Sequence, residues 1–419
     1  MKRREVLAGI AAASTCRPLI AQNLNPASGG GPSFSPSGPN AEHYGFAEGF
    51  PVRRPPDDPE NRVGAFSHFD QLFPARRIDR AEARWDFKRD QATVQYTYKG
   101  TRLSLSDYPA RNPVTGLLIA KGDEILFEHY QYGRTDQDRL ISQSMAKSIV
   151  GLLIGIAIAE GAIGSVDDTA ETYVREFRGT EYGKTPIRDL LHMSSGVEFG
   201  EEADNSRDLN RLWLDLMGGY VSEYAGVAKG TIGGITQFNR RIAPPGSRFS
   251  YASVEPDVLG VVLRYATGKT LSDYVHAKIW NLIGTEADAS WLVDTQGFEV
   301  AHGFFNAVLR DYARLGRLLA FEGAWGGKQV IPAQWMLDAT TVRASDAYLA
   351  PGKADPTFGY GYLMWLLPWR ARQFALLGAY GQRICVDPTS RVVLVQTAVE
   401  QTDEIWSLWR ALVEQLGKA

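Results

Sequence analysis

The sequence predicts an α+β fold: an antiparallel sheet flanked by helices, with a mainly helical region inserted between the two halves of the sheet. Three observations carry this. Strand-like runs cluster early, in "TVQYTYKG" (93–100) and "GLLIAKGDEILFEHYQYG" (116–133), and again late, from "GYGYLMWLLP" (359–368) to "RVVLVQTAV" (391–399). From about 166 to 290 the patterns are mostly helical. A last helical run, "EIWSLWRALVEQLGK", closes the chain. Strands at both ends with helices between them make a sheet layer that carries an insertion.

Taken in order, the chain begins with "MKRREVLAGIAAASTCRPLIAQ". Its basic start, Lys2-Arg3-Arg4, and the apolar run from Val6 to Ala13 read as a secretory leader, too short for a membrane span. Arg3-Arg4 followed by Leu7 is similar to a twin-arginine export signal, which predicts a periplasmic or secreted protein once residues 1–21 are removed. Residues 22–62 are rich in Gly, Pro, Ser and Asn and read as a linker or a surface-hugging arm. The folded domain is then 63–419, its sheet-bearing parts at about 63–165 and 291–419 and its helical part at about 166–290. Within it, "GLLIAKGDEILFEHYQYG" reads as two strands around a Lys-Gly-Asp turn. The helical patterns include "PIRDLLHMSS", "DLNRLWLDLMGG", "VEPDVLGVVLRYATG" and "LRDYARLGRLLAFEG".

Bulk composition removes several functions. A chain of 419 residues, 44% of them hydrophobic, can bury a real core, and a formal charge of -3 gives no basic footprint for nucleic acid. The six histidines are scattered without an HExxH or another close ligand pair, and no Gly-rich phosphate loop precedes a helix. No metal, nucleotide or other cofactor is therefore expected, and the expected partner is a small-molecule substrate. Without the leader one cysteine remains, Cys385, which cannot form an internal disulfide and reads as a small buried apolar residue.

The stretch with chemistry in it is "LISQSMAKSIVGLLIGIAIAEG" (140–161). From Ser144 to Glu160 it reads as a helix that is apolar all round and therefore buried on all sides, with Gly161 as its stop. Gly151 and Gly155 then mark close approach by neighbouring elements. Ser144 and Lys147 are three residues apart, so their side chains share one helix face. A helix N-terminus favours developing negative charge, and desolvation disfavours the charged form of a lysine. Ser144 thus reads as a nucleophile and Lys147 as its base, against the plainer reading of a surface lysine on a first turn. An SxxK alone is weak, since a chain of this length holds roughly one by chance.

The surroundings strengthen it. "SMAKS" opening a buried helix, "TPIRDLLHMSSGVEFGE", "PPGSRFSYASVEPDVLGVVLRYATG", "HGFFNAVLRDYARLGRLL" and "LLGAYGQRICVDPTSRVVLV" stand in the order found in the serine β-lactamase and penicillin-binding-protein superfamily, which the chain resembles over most of 100–419. "GAYGQ" with "SMAKS" is most similar to the 6-aminohexanoate-dimer hydrolases and their carboxylesterase relatives. The resemblance implies a β-lactamase/transpeptidase-like fold and a set of roles. Tyr-x-Ser occurs at Tyr220-Val221-Ser222 and at Tyr251-Ala252-Ser253; the second is taken for its Pro245-Gly246 turn and the apolar helix after it. Tyr251 would share the proton traffic with Lys147, and Ser253 would hydrogen-bond toward Lys147 or the leaving group. The third motif departs from Lys-Thr-Gly and reads Leu376-Leu377-Gly378. Gly378 with Tyr380 and Gly381 would form the substrate strand, and the N–H groups of Ser144 and Ala379 the oxyanion hole.

These residues imply a serine hydrolase working through an acyl-serine. Ala203 stands where the amidases of the group carry a donor tyrosine, which favours carboxylic esters over amides, and the neighbouring Glu201, Glu202 and Asp204 read as a solvated acidic loop. The missing Lys-Thr-Gly lysine argues against penicillins and D-Ala-D-Ala peptides, the substrates of the nearest rival, a β-lactamase or carboxypeptidase. A non-catalytic periplasmic binding protein on the same fold is the rival of another class. Trp213, Trp365 and Trp369 either line an acyl pocket or fill the core, and core or rim packing is the plainer reading.

Overall fold

The computed structural model describes residues 26–27, 31–34, 59, 61–201, 206–220, 226–369 and 371–417. The leader, most of the 22–62 arm, Glu202, Ala203, Asp204 and Ser222 lie outside the described residues.

The main sheet has eight strands: β1 (Lys88–Arg89), β2 (Val114–Lys121), β3 (Glu124–Tyr130), β4 (Gly359–Tyr360), β5 (Trp365–Leu366), β6 (Phe374–Gly378), β7 (Gln382–Asp387) and β8 (Val392–Ala398), in the order β4-β5-β6-β7-β8-β2-β3-β1. Early and late strands therefore meet at β8 and β2, in the centre of the sheet. Every pairing is antiparallel except β1 with β3. The sheet is thus mixed rather than antiparallel throughout, because the exposed Lys88–Arg89 pair runs along the outer edge beside β3 without turning back on it.

The central strands read as unbroken apolar runs because both faces are covered. Leu118, Ala120, Ile384, Val386, Val393 and Val395 face the larger core with the helices α1 (Met145–Ala159) and α3 (Leu309–Ala320). Leu117, Ile119, Cys385, Val392 and Leu394 alternate onto the other face, under α4 (Glu404–Leu416). Cys385 is fully buried there, and burial pushes its thiol up to about 12. The helix α2 (Val254–Thr267) lies against α1 and belongs to the inserted helical part, along with Ile187–Leu191 and Arg207–Met217. A second, four-stranded antiparallel sheet joins Ala75–Ile78, Ala289–Leu292, Phe305–Ala307 and Leu140–Ile141 in that order. One piece of the arm is packed: Pro32 accepts from the Tyr132 hydroxyl at 2.6 Å, and Phe34 meets the Tyr132 ring edge-on at 5.8 Å.

α1 is hemmed in on all sides. A Cβ on Gly151 would come 2.9 Å from the Tyr362 carbonyl oxygen, and one on Gly155 would come 2.4 Å from the Trp335 ring. The Trp335 indole N–H donates to the Gly151 carbonyl at 3.1 Å. Among the described residues no helix is long and apolar enough to cross a membrane.

Candidate active site

The strand Leu140–Ile141 delivers the chain to α1 through a tight turn. Ser142 N–H donates to the Phe305 carbonyl at 2.7 Å, and the Ser142 hydroxyl accepts from Phe305 N–H at 3.1 Å. Gln143 has φ 45°, a left-handed conformation costly for a residue with a Cβ. The chain then reverses so that Ser144 occupies the N-cap of α1. A capping serine usually spends its oxygen on the helix's own N–H groups. Ser144 makes no such bond; its Oγ instead accepts from Lys147 Nζ at 2.7 Å.

Lys147 is 1% exposed. Its Nζ also donates to the His302 carbonyl at 2.9 Å, and among the described residues no carboxylate forms an ion pair with it. His302 is itself fixed from α2. Its N–H donates to Asp257 Oδ1 at 3.1 Å, and its Nδ1 lies 2.7 Å from Asp257 Oδ2. Sequence reasoning missed Asp257 and His302: the contacts span 45 and 155 residues, and nothing local marks them.

Tyr251 stands on the far side of Lys147, whose Nζ lies 5.0 Å from the ring centroid. The ring stacks on Trp365 at 5.6 Å, so Trp365 is a wall of the site rather than ordinary rim packing. Trp213 is core, against Phe73 and Phe304, and Trp369 packs on Trp406. Tyr220, the other Tyr-x-Ser tyrosine, ends a short helix and does not line the cavity.

Ser253 departs from expectation. Its hydroxyl donates to Glu201 Oε1 at 2.5 Å, and its N–H to Glu201 Oε2, rather than toward Lys147. Ser253 is the N-cap of α2, where free N–H groups attract an anion. The reading of Glu201 as part of a solvated loop is corrected for the same reason: its carboxylate is held in the site by a partner 52 residues away.

The opposite wall is the end of β6. Gly378 lies against the turn before Ser144, and a Cβ there would come 2.5 Å from the Ser142 carbonyl oxygen. The close approach is thus to the segment that carries Ser144. Ala379 follows, and Tyr380 (φ 61°) and Gly381 (φ 94°) turn the chain into β7. Tyr380 packs on Phe66 at 5.2 Å and under the Arg62 guanidinium. Ser144, Tyr251, Ser253, Gly378, Ala379 and Tyr380 line one open cavity of about 990 Å³; Lys147 lies beneath its floor and Gly381 behind its wall. Among the described residues no cluster of His, Cys, Asp and Glu could hold a metal ion.

Residues 106–403 match the family described as Beta-lactamase. The chain is 26% identical over 367 residues to a 6-aminohexanoate-dimer hydrolase of Paenarthrobacter ureafaciens, covering 85% of this chain and 90% of that one. A solved structure of a Bacillus anthracis protein, provisionally assigned as a 6-aminohexanoate-dimer hydrolase, superposes with a TM-score of 0.76 at 24% identity, over 86% of this chain and 95% of the other. EstCE1, a hydrolase with promiscuous acyltransferase activity, has a TM-score of 0.55 at 15% identity over 73% and 94%. A penicillin-binding protein of Bacillus halodurans has a TM-score of 0.54 at 17% identity over 71% and 95%.

Proposed function

Because the chain belongs to the β-lactamase family, we propose that it is a serine hydrolase that cleaves carboxylic esters through an acyl-Ser144. The observation that carries this is the buried Lys147 amine, 2.7 Å from an Ser144 oxygen that opens onto a substrate-sized cavity. Among the described residues no carboxylate pairs with Nζ, whose hydrogen-bond partners are the Ser144 oxygen and the His302 carbonyl. Lys147 takes the Ser144 proton as Oγ attacks the carbonyl carbon. The oxyanion is held by the N–H groups of Ser144 and Ala379. Tyr251, whose hydroxyl has no hydrogen-bond partner among the described residues, passes a proton to the leaving oxygen; water then releases the acid by the reverse relay.

Esters rather than amides follow from the donor inventory. An amide nitrogen must be protonated to leave, whereas an alkoxide needs less help. Of the described hydroxyls lining the cavity, that of Ser253 is committed to Glu201, which leaves Tyr251 as the proton donor named for the leaving group. The Paenarthrobacter relative named for an amide dimer favours a second reading, a linear amide of an amino acid. The leader pattern, Lys2-Arg3-Arg4 with its apolar run, supports a site of action outside the cytoplasm.

The test is a fluorophosphonate probe on the folded protein, with the adduct mapped by peptide mass. A single adduct at Ser144, absent in Ser144→Ala and Lys147→Ala, is expected, followed by turnover of alkyl esters ahead of matched amides. A folded protein that takes no probe would move the non-catalytic reading to the front, and nitrocefin turnover would favour the β-lactamase reading.

A further inference from the structure

Four arginines line the cavity, and three are accounted for. Arg62 donates to the Val399 carbonyl and lies over the Tyr380 ring, Arg207 pairs with Asp208, and Arg248 is in water. Arg383 differs from all of them. It is 3% exposed, and its Nε is buried without a hydrogen-bond partner. Among the described residues its guanidinium makes no hydrogen bond or ion pair; its close contact is the face of Trp406, 4.6 Å away.

A buried guanidinium stays charged, and burying a charge without a partner is costly. The acids around the cavity do not supply one. Glu198 pairs with Arg240, Glu201 takes Ser253, Asp208 accepts from Gly200 N–H, and Asp355 accepts from Thr357 and Phe358 N–H. Glu400 feels Arg62, and burial raises its carboxyl. Asp403 attracts Arg383 without reaching ion-pair distance. Such an orphan is what a site leaves when the missing anion comes with the ligand.

Its place in the sheet shows which part of the ligand. Arg383 is on β7, directly across from Leu377 on β6, one step from the Gly378–Gln382 pair whose glycine abuts the Ser144 turn. Its side chain lies on the α4 face of the sheet with Leu377, Cys385 and Trp406 and lines the cavity from that side, past the end of β6, while Tyr251 and Ser253 stand on the helical side. If Tyr251 serves the leaving group, the Arg383 side takes the acyl group. We propose that Arg383 is a carboxylate-binding residue, and that the preferred substrates are esters whose acyl chain ends in a second carboxylate, that is, half-esters of dicarboxylic acids. The guanidinium fork matches a carboxylate with two parallel hydrogen bonds. This rests on the ester-hydrolase reading above.

The test compares monoethyl esters of C4 to C8 dicarboxylic acids with ethyl esters of the matching monocarboxylic acids, in the wild type and in Arg383→Gln. The best half-ester should exceed its neutral counterpart in kcat/KM by about 10- to 100-fold, the range for a hydrogen bond to a charged group, and the ratio should fall to about one in the variant. An equal ratio in the two proteins, or no preference in the wild type, overturns the proposal. Calorimetric titration of the wild type with adipate and hexanoate gives an answer that depends on neither turnover nor the folding of the variant. Adipate should bind at least about tenfold more tightly, and equal binding refutes the subsite. A protein that binds adipate selectively yet hydrolyses no ester and takes no fluorophosphonate would sink the hydrolase reading and leave the anion site standing.

Discussion

Replacing Lys147 with methionine separates the two things this residue does. The change keeps an unbranched chain of similar length and removes the amine. On the stability side, the His302 carbonyl loses its Nζ partner at 2.9 Å, and an orphaned buried acceptor costs roughly 1–3 kcal/mol. Against that, a side chain 1% exposed no longer holds a polar amine away from water, a desolvation cost of roughly 1–3 kcal/mol. The two nearly cancel, so unfolding free energy should move by no more than about 2 kcal/mol in either direction. Activity has no such compensation. Loss of a general base costs about 10²–10⁴-fold, and more where nucleophile and base act as a unit. Lys147→Met should therefore unfold within a few degrees of the wild type by circular dichroism while its fluorophosphonate labelling rate drops at least about 10²-fold. Lys147→Arg should be as slow, because a guanidinium keeps the charge but cannot give up its proton. Labelling of either variant at the wild-type rate would refute Lys147 as the base; slow labelling with a collapsed melting curve would make its role structural.

Three further outcomes follow from the packing and the buried charges. Gly378→Ala puts a Cβ 2.5 Å from the Ser142 carbonyl oxygen, so the strand edge or the Ser144 turn must move; kcat/KM should fall by about 10²-fold, the scale for a 1 Å misplacement, and an unchanged value would show that the turn tolerates displacement. Gly155→Ala gains up to about 1 kcal/mol of helix propensity but drives a Cβ into the buried Trp335 ring, an overpacking cost of about 1–3 kcal/mol, so the midpoint in urea should drop; a rise would refute the tight contact. Burial pulls the His192 imidazole down to about 4, below its unfolded value, so its contribution is full above pH 6.5 and is lost as pH falls through 4, roughly 3 kcal/mol in all. Asp189 and Asp311, both pushed up to about 6 by burial, act in the opposite sense, their contribution being lost as pH rises through 6. The difference between wild type and His192→Gln therefore isolates the histidine: the wild type's advantage should shrink as pH falls from 7 to 4, and a constant difference would refute the shift.

What could be read from the sequence was local. Ser144 and Lys147 share one turn, the α1 segment is apolar at nearly every position, and the central strands are five to eight residues long. Each of these has a period or a spacing that a short window can hold. The four-stranded sheet has strands of two to four residues, too short for any periodicity, and it escaped notice although it delivers the chain to Ser144. Glu201 was misread because its composition matches a solvated loop and its partner lies on another element. Asp257, His302 and Arg383 were invisible for the related reason that their meaning depends on what surrounds them: Asp257 is one acid in a helix, and Arg383 one basic residue in an apolar strand, until the fold shows what each one touches or lacks.

The apolar character of α1 and the chemistry at its first turn are one arrangement. A lysine at an ordinary helix start can swing into water, where it is protonated and mobile. Here the backbone closes that route at three glycines. Gly155 admits the Trp335 ring, Gly151 admits the Tyr362 carbonyl, and Gly378 brings the strand edge onto the turn before Ser144. The helix is thus wedged between the Trp335 segment and the sheet, and Lys147 is left with two partners, the Ser144 oxygen and a His302 carbonyl whose residue is itself pinned by both oxygens of Asp257. Reactive groups held within a few tenths of an ångström by packing need no reorganisation when the bond to substrate forms. That makes the glycines part of the machinery without contact with substrate: a methyl group at Gly378 disturbs the nucleophile through the backbone, and one at Gly155 through the helix that carries the base.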